Sequence, residues 1–194
     1  MQICKRILLV LACAAAAATA RAQSFGLGIS VGLPNDVANE VKLDNFDHSE
    51  VTGWFDYRLE PGAILRLTYG NMRTRQAHSQ SVIETSTGPF ALPEFKERIE
   101  YGTVGVSYLF WEGFYTSGIF AGIGAYGIRP DAVAPEIAAY ADRRETVFGW
   151  HGGLDGEFRL LRRLSLVLRF TYHNISAHPH RQFINADAGF VARF

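Results

Sequence analysis

Asp187-Ala188-Gly189-Phe190-Val191-Ala192-Arg193-Phe194 ends the chain with a strict period of two. With the residues just before it, Ile184, Ala186, Ala188, Phe190, Ala192 and Phe194 fall on one face. Asn185, Asp187, Gly189, Val191 and Arg193 fall on the other. Successive side chains of a strand point to opposite faces, so the alternation predicts a β-strand with one apolar face.

The same pattern recurs upstream. Phe25, Leu27, Ile29, Val31 and Leu33 alternate with Gly26, Gly28, Ser30 and Gly32. Val51, Gly53, Phe55, Tyr57 and Leu59 alternate with Thr52, Trp54, Asp56 and Arg58, and Ala63, Leu65, Leu67 and Tyr69 with Ile64, Arg66, Thr68 and Gly70. A fourth segment, about Arg98 to Phe110, puts Val104, Val106, Tyr108 and Phe110 on its apolar face. A fifth does so with Ile119, Ala121, Ile123 and Ala125, opposite Gly118, Gly122 and Gly124. In the sixth, Thr146, Phe148, Trp150, Leu154, Phe158 and Leu160 face away from Val147, His151, Asp155, Glu157 and Arg159. The seventh sets Leu164, Leu166, Leu168, Phe170 and Tyr172 against Ser165, Val167, Arg169, Thr171 and His173.

Eight strands result, joined by connections that alternate in length. Pro34 to Ser49, Arg73 to Glu97, Arg129 to Arg144 and Asn174 to Gln182 are long. Glu60-Pro61-Gly62, Trp111-Glu112-Gly113 and Leu161-Arg162-Arg163 are tight turns, the first set by its Pro and Gly.

The N-terminus carries an export signal. Lys5 and Arg6 precede an apolar stretch from Ile7 to Ala18, and Ala20-Arg21-Ala22 is a small-x-small cleavage site. The apolar run is shorter than the roughly 20 residues a membrane helix needs. The expected organisation is a signal peptide at 1–22 and one barrel domain at 23–194. A competing cut before Cys13, in Val10-Leu11-Ala12-Cys13, would instead leave a lipid anchor. Cleavage after Ala22 removes Cys4 and Cys13, so no disulfide is available. It also removes Lys5, Arg6 and Arg21 from 19 basic residues, leaving 16 against 19 acidic and a net charge of −3. That balance gives no reason to expect nucleic-acid binding.

The terminal stretch resembles the closing strand of bacterial outer-membrane β-barrels, which carries a polar residue, a glycine, an apolar residue and a final aromatic at fixed spacing. Asp187, Gly189, Ala192 and Phe194 occupy those positions. The alternation of short turns and long loops is similar to that of the small OmpA/OmpX-type barrels. The resemblance implies an all-β, eight-stranded, antiparallel up-and-down transmembrane barrel in the outer membrane. It further implies a monomer in contact with outer-membrane lipids and lipopolysaccharide. The barrel assembly machinery would read the terminal pattern, and the loops would offer any site for an extracellular partner.

Periodicity leaves open which face meets lipid; a soluble ligand-binding barrel would put the apolar face inside. The polar face decides for lipid outside. It interleaves small residues with nearly matched acids and arginines, namely Asp56, Arg58, Arg66, Asp155, Glu157, Arg159, Arg169, Asp187 and Arg193. Such a set suits an ion-pair network in a narrow lumen, because buried charges need partners and guanidinium forks supply them. A gated ion path through the same residues is the functional alternative. Tyr57, Tyr69, Tyr108, Phe110, Tyr172 and Phe194 near strand ends suit the membrane interface.

Other motifs carry less chemistry. Gly122-Ile123-Gly124-Ala125-Tyr126-Gly127 matches a dinucleotide-binding spacing but lies within a strand, so no cofactor is expected. His178-Pro179-His180, with His173, could only be a weak metal site without a nearby acid. His173 and Ser176 invite comparison with outer-membrane lipid A deacylases, but His173-Asn174-Ile175-Ser176 departs from their His-x-Ser-Asn stretch in spacing and order. No catalytic residue is therefore assigned. Phe90-Ala91-Leu92 in the longest loop is either a partner-binding patch or a rim contact.

The loop-length pattern generates a topological prediction. A cysteine placed within Arg73 to Glu97 should react with a membrane-impermeant maleimide on intact cells, and one replacing Glu112 should react only after permeabilisation. Equal labelling at the two positions would refute the orientation.

Overall fold

The structure is a computed structural model that describes residues 25–37, 48–76, 82–85, 88–91, 95–111, 113–131, 145–177 and 181–194. The export signal lies outside the described residues. Among the described residues, ten strands follow in chain order: β1 (Phe25–Asp36), β2 (Ser49–Glu60), β3 (Ala63–Gln76), β4 (Val82–Thr85), β5 (Gly88–Ala91), β6 (Phe95–Trp111), β7 (Tyr115–Asp131), β8 (Glu145–Arg159), β9 (Leu164–Ile175) and β10 (Arg181–Arg193). Eight of them form a closed barrel in the order β1-β10-β9-β8-β7-β6-β3-β2, all neighbours antiparallel. β4 and β5 make a separate hairpin inside the longest connection.

The seam joins the two ends of the sheet. β1 runs along β10 from Gly26 opposite Arg193 to Asp36 opposite Phe183. Past the ladder, Phe25 N–H donates to the Phe194 carbonyl at 3.1 Å and Phe194 N–H returns to the Phe25 carbonyl at 2.8 Å. The two rings stack at 5.1 Å. Gly189 sits at this seam, where a Cβ would collide with the Ile29 carbonyl and Ser30 of β1.

Polarity is inverted relative to a soluble domain. Ile29, Val31, Val104, Val106, Ile119, Ile123, Leu154, Leu168 and Phe170 all point outward and are uncovered by protein. Ser30, Thr52, Asp56, Arg66, Thr68, Thr103, His151, Arg169 and Thr171 are buried inside. A soluble ligand-binding barrel would have the opposite arrangement. Every phase assigned from the sequence holds, including those of the fourth and fifth barrel strands, β6 and β7.

Strand lengths differ from the expectation. β3 continues to Gln76 and β6 begins at Phe95, so the long connection between them is shorter than the polarity of Arg73 to Glu97 suggests. β7 likewise continues to Asp131. Spanning hydrocarbon takes about ten residues per strand, so 17-residue β6 and β7 extend beyond it. Polar outward residues such as Glu100 and Arg129, 3.8 Å apart, belong to that extension and hide the strand from a search for alternating hydrophobicity.

The outward face should show depth-dependent tolerance of charge. Leu168→Arg, in the middle of β9, is expected to lower urea stability in bilayers by about 2–4 kcal/mol. Leu160→Arg, at the short-turn rim, should cost about 0–1 kcal/mol. Equal losses at the two positions would contradict this placement of the membrane.

Candidate functional site

The inward face of the barrel is organised in tiers. At the short-turn end, Arg193 of β10 grips Glu157 of β8 with two guanidinium nitrogens, Nε at 2.9 Å from Oε1 and Nη2 on Oε2. Its Nη1 lies 3.7 Å from Asp56 Oδ2. Asp56 of β2 is held by a fork from Arg66 of β3, with Nε–Oδ1 at 2.7 Å and Nη2–Oδ2 at 3.0 Å. The third nitrogen of Arg66, Nη1, donates to Asp155 Oδ2 across the lumen at 2.7 Å. Arg169 Nη2 stands 3.8 Å from that same oxygen.

Aromatic rings flank the two central cations. The Arg169 guanidinium carbon lies 4.0 Å from the Trp54 ring centroid and 5.2 Å from that of Phe120. Arg66 lies 5.8 Å and 5.6 Å from the same rings. The rings supply cation–π attraction inside the barrel and fill the space beside the charges. The structure thus joins Glu157, Arg193, Asp56, Arg66, Asp155 and Arg169 into one chain of alternating sign. The remaining residues of the predicted set lie elsewhere. Asp187 is opposite Arg169 in register but neighbours Glu50 in the tier above. Arg58 and Arg159 line the barrel mouth below.

The tier above is a second polar cluster that periodicity alone did not single out. Glu50 accepts from Tyr101 Oη and from Asn185 Nδ2. Tyr101 also meets Thr52 Oγ1 at 3.1 Å. His173 Nε2 is 4.0 Å from Glu50 Oε1, and its Nδ1 pairs with Tyr126 Oη at 3.1 Å. His151 Nε2 is 3.4 Å from Thr103 Oγ1. Gly122 makes room for this tier, since a Cβ there would meet the His151 imidazole. Gly124, two residues on, has a different reason: a Cβ there would meet the Gly102 carbonyl of β6.

Above it, Met72, Ile99, Tyr101, Tyr126, Ile128, Ile175, Ala177 and Phe183 form a buried apolar plug toward the long-loop end. The polar character of the inward face in the sequence does not disclose this plug. Its signal was available: Met72, Ile99, Ile128 and Phe183 continue the inward phase of their strands beyond the segments assigned from alternation.

The catalytic and metal alternatives fare differently. His173 is buried inside the lumen, in phase with Arg169, while Ser176 is exposed just past the end of β9. The pair does not share a surface on which a membrane lipid could be bound. His178 and His180 lie outside the described residues. Among the described residues, no group of three or more His, Cys, Asp or Glu side chains is placed to hold a metal ion.

A closed barrel, apolar outside and polar within, defines an outer-membrane β-barrel protein. The chain belongs to the family described as outer membrane protein beta-barrel domain, which matches residues 7–194. It resides in the bacterial outer membrane. Among solved structures, Neisserial surface protein A is similar, with a TM-score of 0.56 at 11% identity, covering 89% of this chain and 97% of that one. OprG from Pseudomonas aeruginosa gives 0.53 at 14% identity, covering 89% and 96%. The attachment invasion locus protein Ail of Yersinia pestis gives 0.50 at 11% identity, covering 89% and 97%. These likenesses concern the fold. A search of curated proteins found no match.

The charge chain sets a stability expectation. Arg66→Met leaves Asp56 and Asp155 short of a cation and should destabilise the folded barrel by about 3–5 kcal/mol in urea titration. Arg66→Met combined with Asp56→Asn should recover a large part of that loss, because Asp155–Arg169 and Glu157–Arg193 survive. A double variant no more stable than Arg66→Met would show that the pair is not an energetic unit.

Proposed function

We propose that this protein is a monomeric, closed outer-membrane barrel whose role is structural or is carried by its long loops, without transport or catalysis. The observation that carries this reading is the filled lumen. An apolar plug at the long-loop end stands over a hydrogen-bonded tier and a chain of ion pairs. An eight-stranded barrel has an interior about the size of its own side chains, and here they occupy it. The buried charges are then positioning elements that tie β2, β3, β8, β9 and β10 together across the lumen.

With the interior committed to packing, two surfaces are left for function. The outward face meets membrane lipids and lipopolysaccharide. The connections at the long-loop end face the outside and are available to an extracellular partner. During biogenesis, the barrel assembly machinery would read the pattern Asp187, Gly189, Ala192 and Phe194. Two of these residues face the lumen and two face outward.

Two measurements test the reading. The refolded protein in planar bilayers should give no discrete conductance steps. Mass spectrometry of lipid A should give the same acylation pattern from cells with no copy, the wild-type copy, or a His173→Ala or Ser176→Ala copy. Stable conductance steps would establish a pore. An acyl chain lost with the wild-type copy and restored by either substitution would establish a hydrolase.

A further inference from the structure

Inside the barrel, acids and arginines alternate; at its short-turn mouth they do not. A cavity of about 250 Å³ opens there, lined by Arg58, Arg159, Arg162, Arg163 and Arg193. The carboxylate in its wall is Glu157, already gripped by Arg193 and hydrogen-bonded by Ser165. Arg159, Arg162 and Arg163 are exposed and have no acidic partner among the described residues. This concentration does not follow from composition, since the chain as a whole has equal numbers of acidic and basic residues. The other two short turns carry Glu60 and Glu112. The basic mouth is therefore a local feature of the β8–β9 turn and the strand ends around it.

We propose that this mouth is a binding site for a phosphate-class oxyanion. Like charges gathered around one cavity repel, and an anion between them relieves that repulsion. The number and direction of the donors select its shape. A carboxylate offers two oxygens and is satisfied by one guanidinium fork. The guanidinium groups of Arg159 on β8 and of Arg162 and Arg163 on the β8–β9 turn line this cavity, and a phosphate presents oxygens to several of them at once. Thr116 adds a hydroxyl to the wall. Arg193, braced by two bonds to Glu157, provides a preorganised floor.

The phosphate can reach the mouth from two sources. Leu160 and Leu161, both more than half exposed, flank the arginines and place the turn at the membrane surface, at the depth of lipid headgroups. The cavity also opens to the aqueous side, where a phosphorylated solute would enter directly.

The experiment uses the folded mature chain in non-ionic maltoside micelles. One arm titrates inorganic pyrophosphate by calorimetry. The other compares retention in nanodiscs of phosphatidylglycerol with retention in nanodiscs of phosphatidylcholine, with and without pyrophosphate as competitor. The expected result is saturable binding in at least one arm. It should weaken about tenfold or more in Arg159→Gln/Arg162→Gln/Arg163→Gln, since each lost fork removes charge-assisted bonds. Saturable pyrophosphate binding without a lipid preference assigns the site to a free solute. A phosphatidylglycerol preference that pyrophosphate competes away assigns it to a headgroup. The heat-dependent shift on gels checks folding of the triple variant, and Arg162→Gln/Arg163→Gln, confined to the exposed turn, replaces it if folding fails. Wild type and variant indistinguishable in both arms would overturn the proposal.

Discussion

Hydrocarbon offers backbone amides no water, so every N–H and C=O inside a membrane must find a partner in the protein. The β1–β10 seam meets that requirement here. Without it, two strand edges would stand unpaired in lipid, each with a row of unsatisfied groups. The seam explains the residues along it: Gly189 permits close approach of the two backbones, and Phe194 closes on Phe25 by two hydrogen bonds and a ring stack. It also decides which side chains meet inside, because closing the sheet sets the register of every strand relative to the others.

Closure creates a second demand. Eight strands enclose a space about wide enough for side chains, and polar groups trapped there must satisfy one another. The molecule answers with small residues opposite large ones, as Gly122 opposite His151, and with arginines that serve several acids. Arg66 alone bridges Asp56 on a neighbouring strand and Asp155 on a distant one. A buried ion pair is weak evidence for net stability, because desolvating both charges offsets much of their attraction. Its structural effect is to tie strands across the lumen, and the apolar plug at the other end is tied in as well, by the Tyr101 and Tyr126 hydroxyls bonded in the tier below it and by the Glu97–Arg181 pair.

The functional reading follows from the filling of that space. With the interior occupied by packing, the proposed role falls to the loops and the lipid-facing surface, and the proposed anion site to the basic mouth. The contrast between the two ends is physical: one is closed by apolar side chains beneath long connections, and the other is ringed by arginines at the short turns.

Faces were legible in the sequence because period two is a local property. Leu164 to His173 alternates so cleanly that the outward and inward sets of β9 follow from their order alone. The number of barrel strands and the alternation of turns and loops were legible for the same reason, since Pro, Gly and polar runs punctuate locally, whereas the β4–β5 hairpin within the longest connection was not. Strand ends were not, because outside the hydrocarbon a strand no longer needs an apolar face, as Glu100 and Arg129 show. Nor could the sequence say which inward residues touch. Arg66 and Asp155 stand 89 positions apart, and Glu50 and Asn185 stand 135 apart. Periodicity put Arg66, Asp155 and Asp187 on one polar face; only closure and register placed the first two together and sent Asp187 to a different tier beside Glu50.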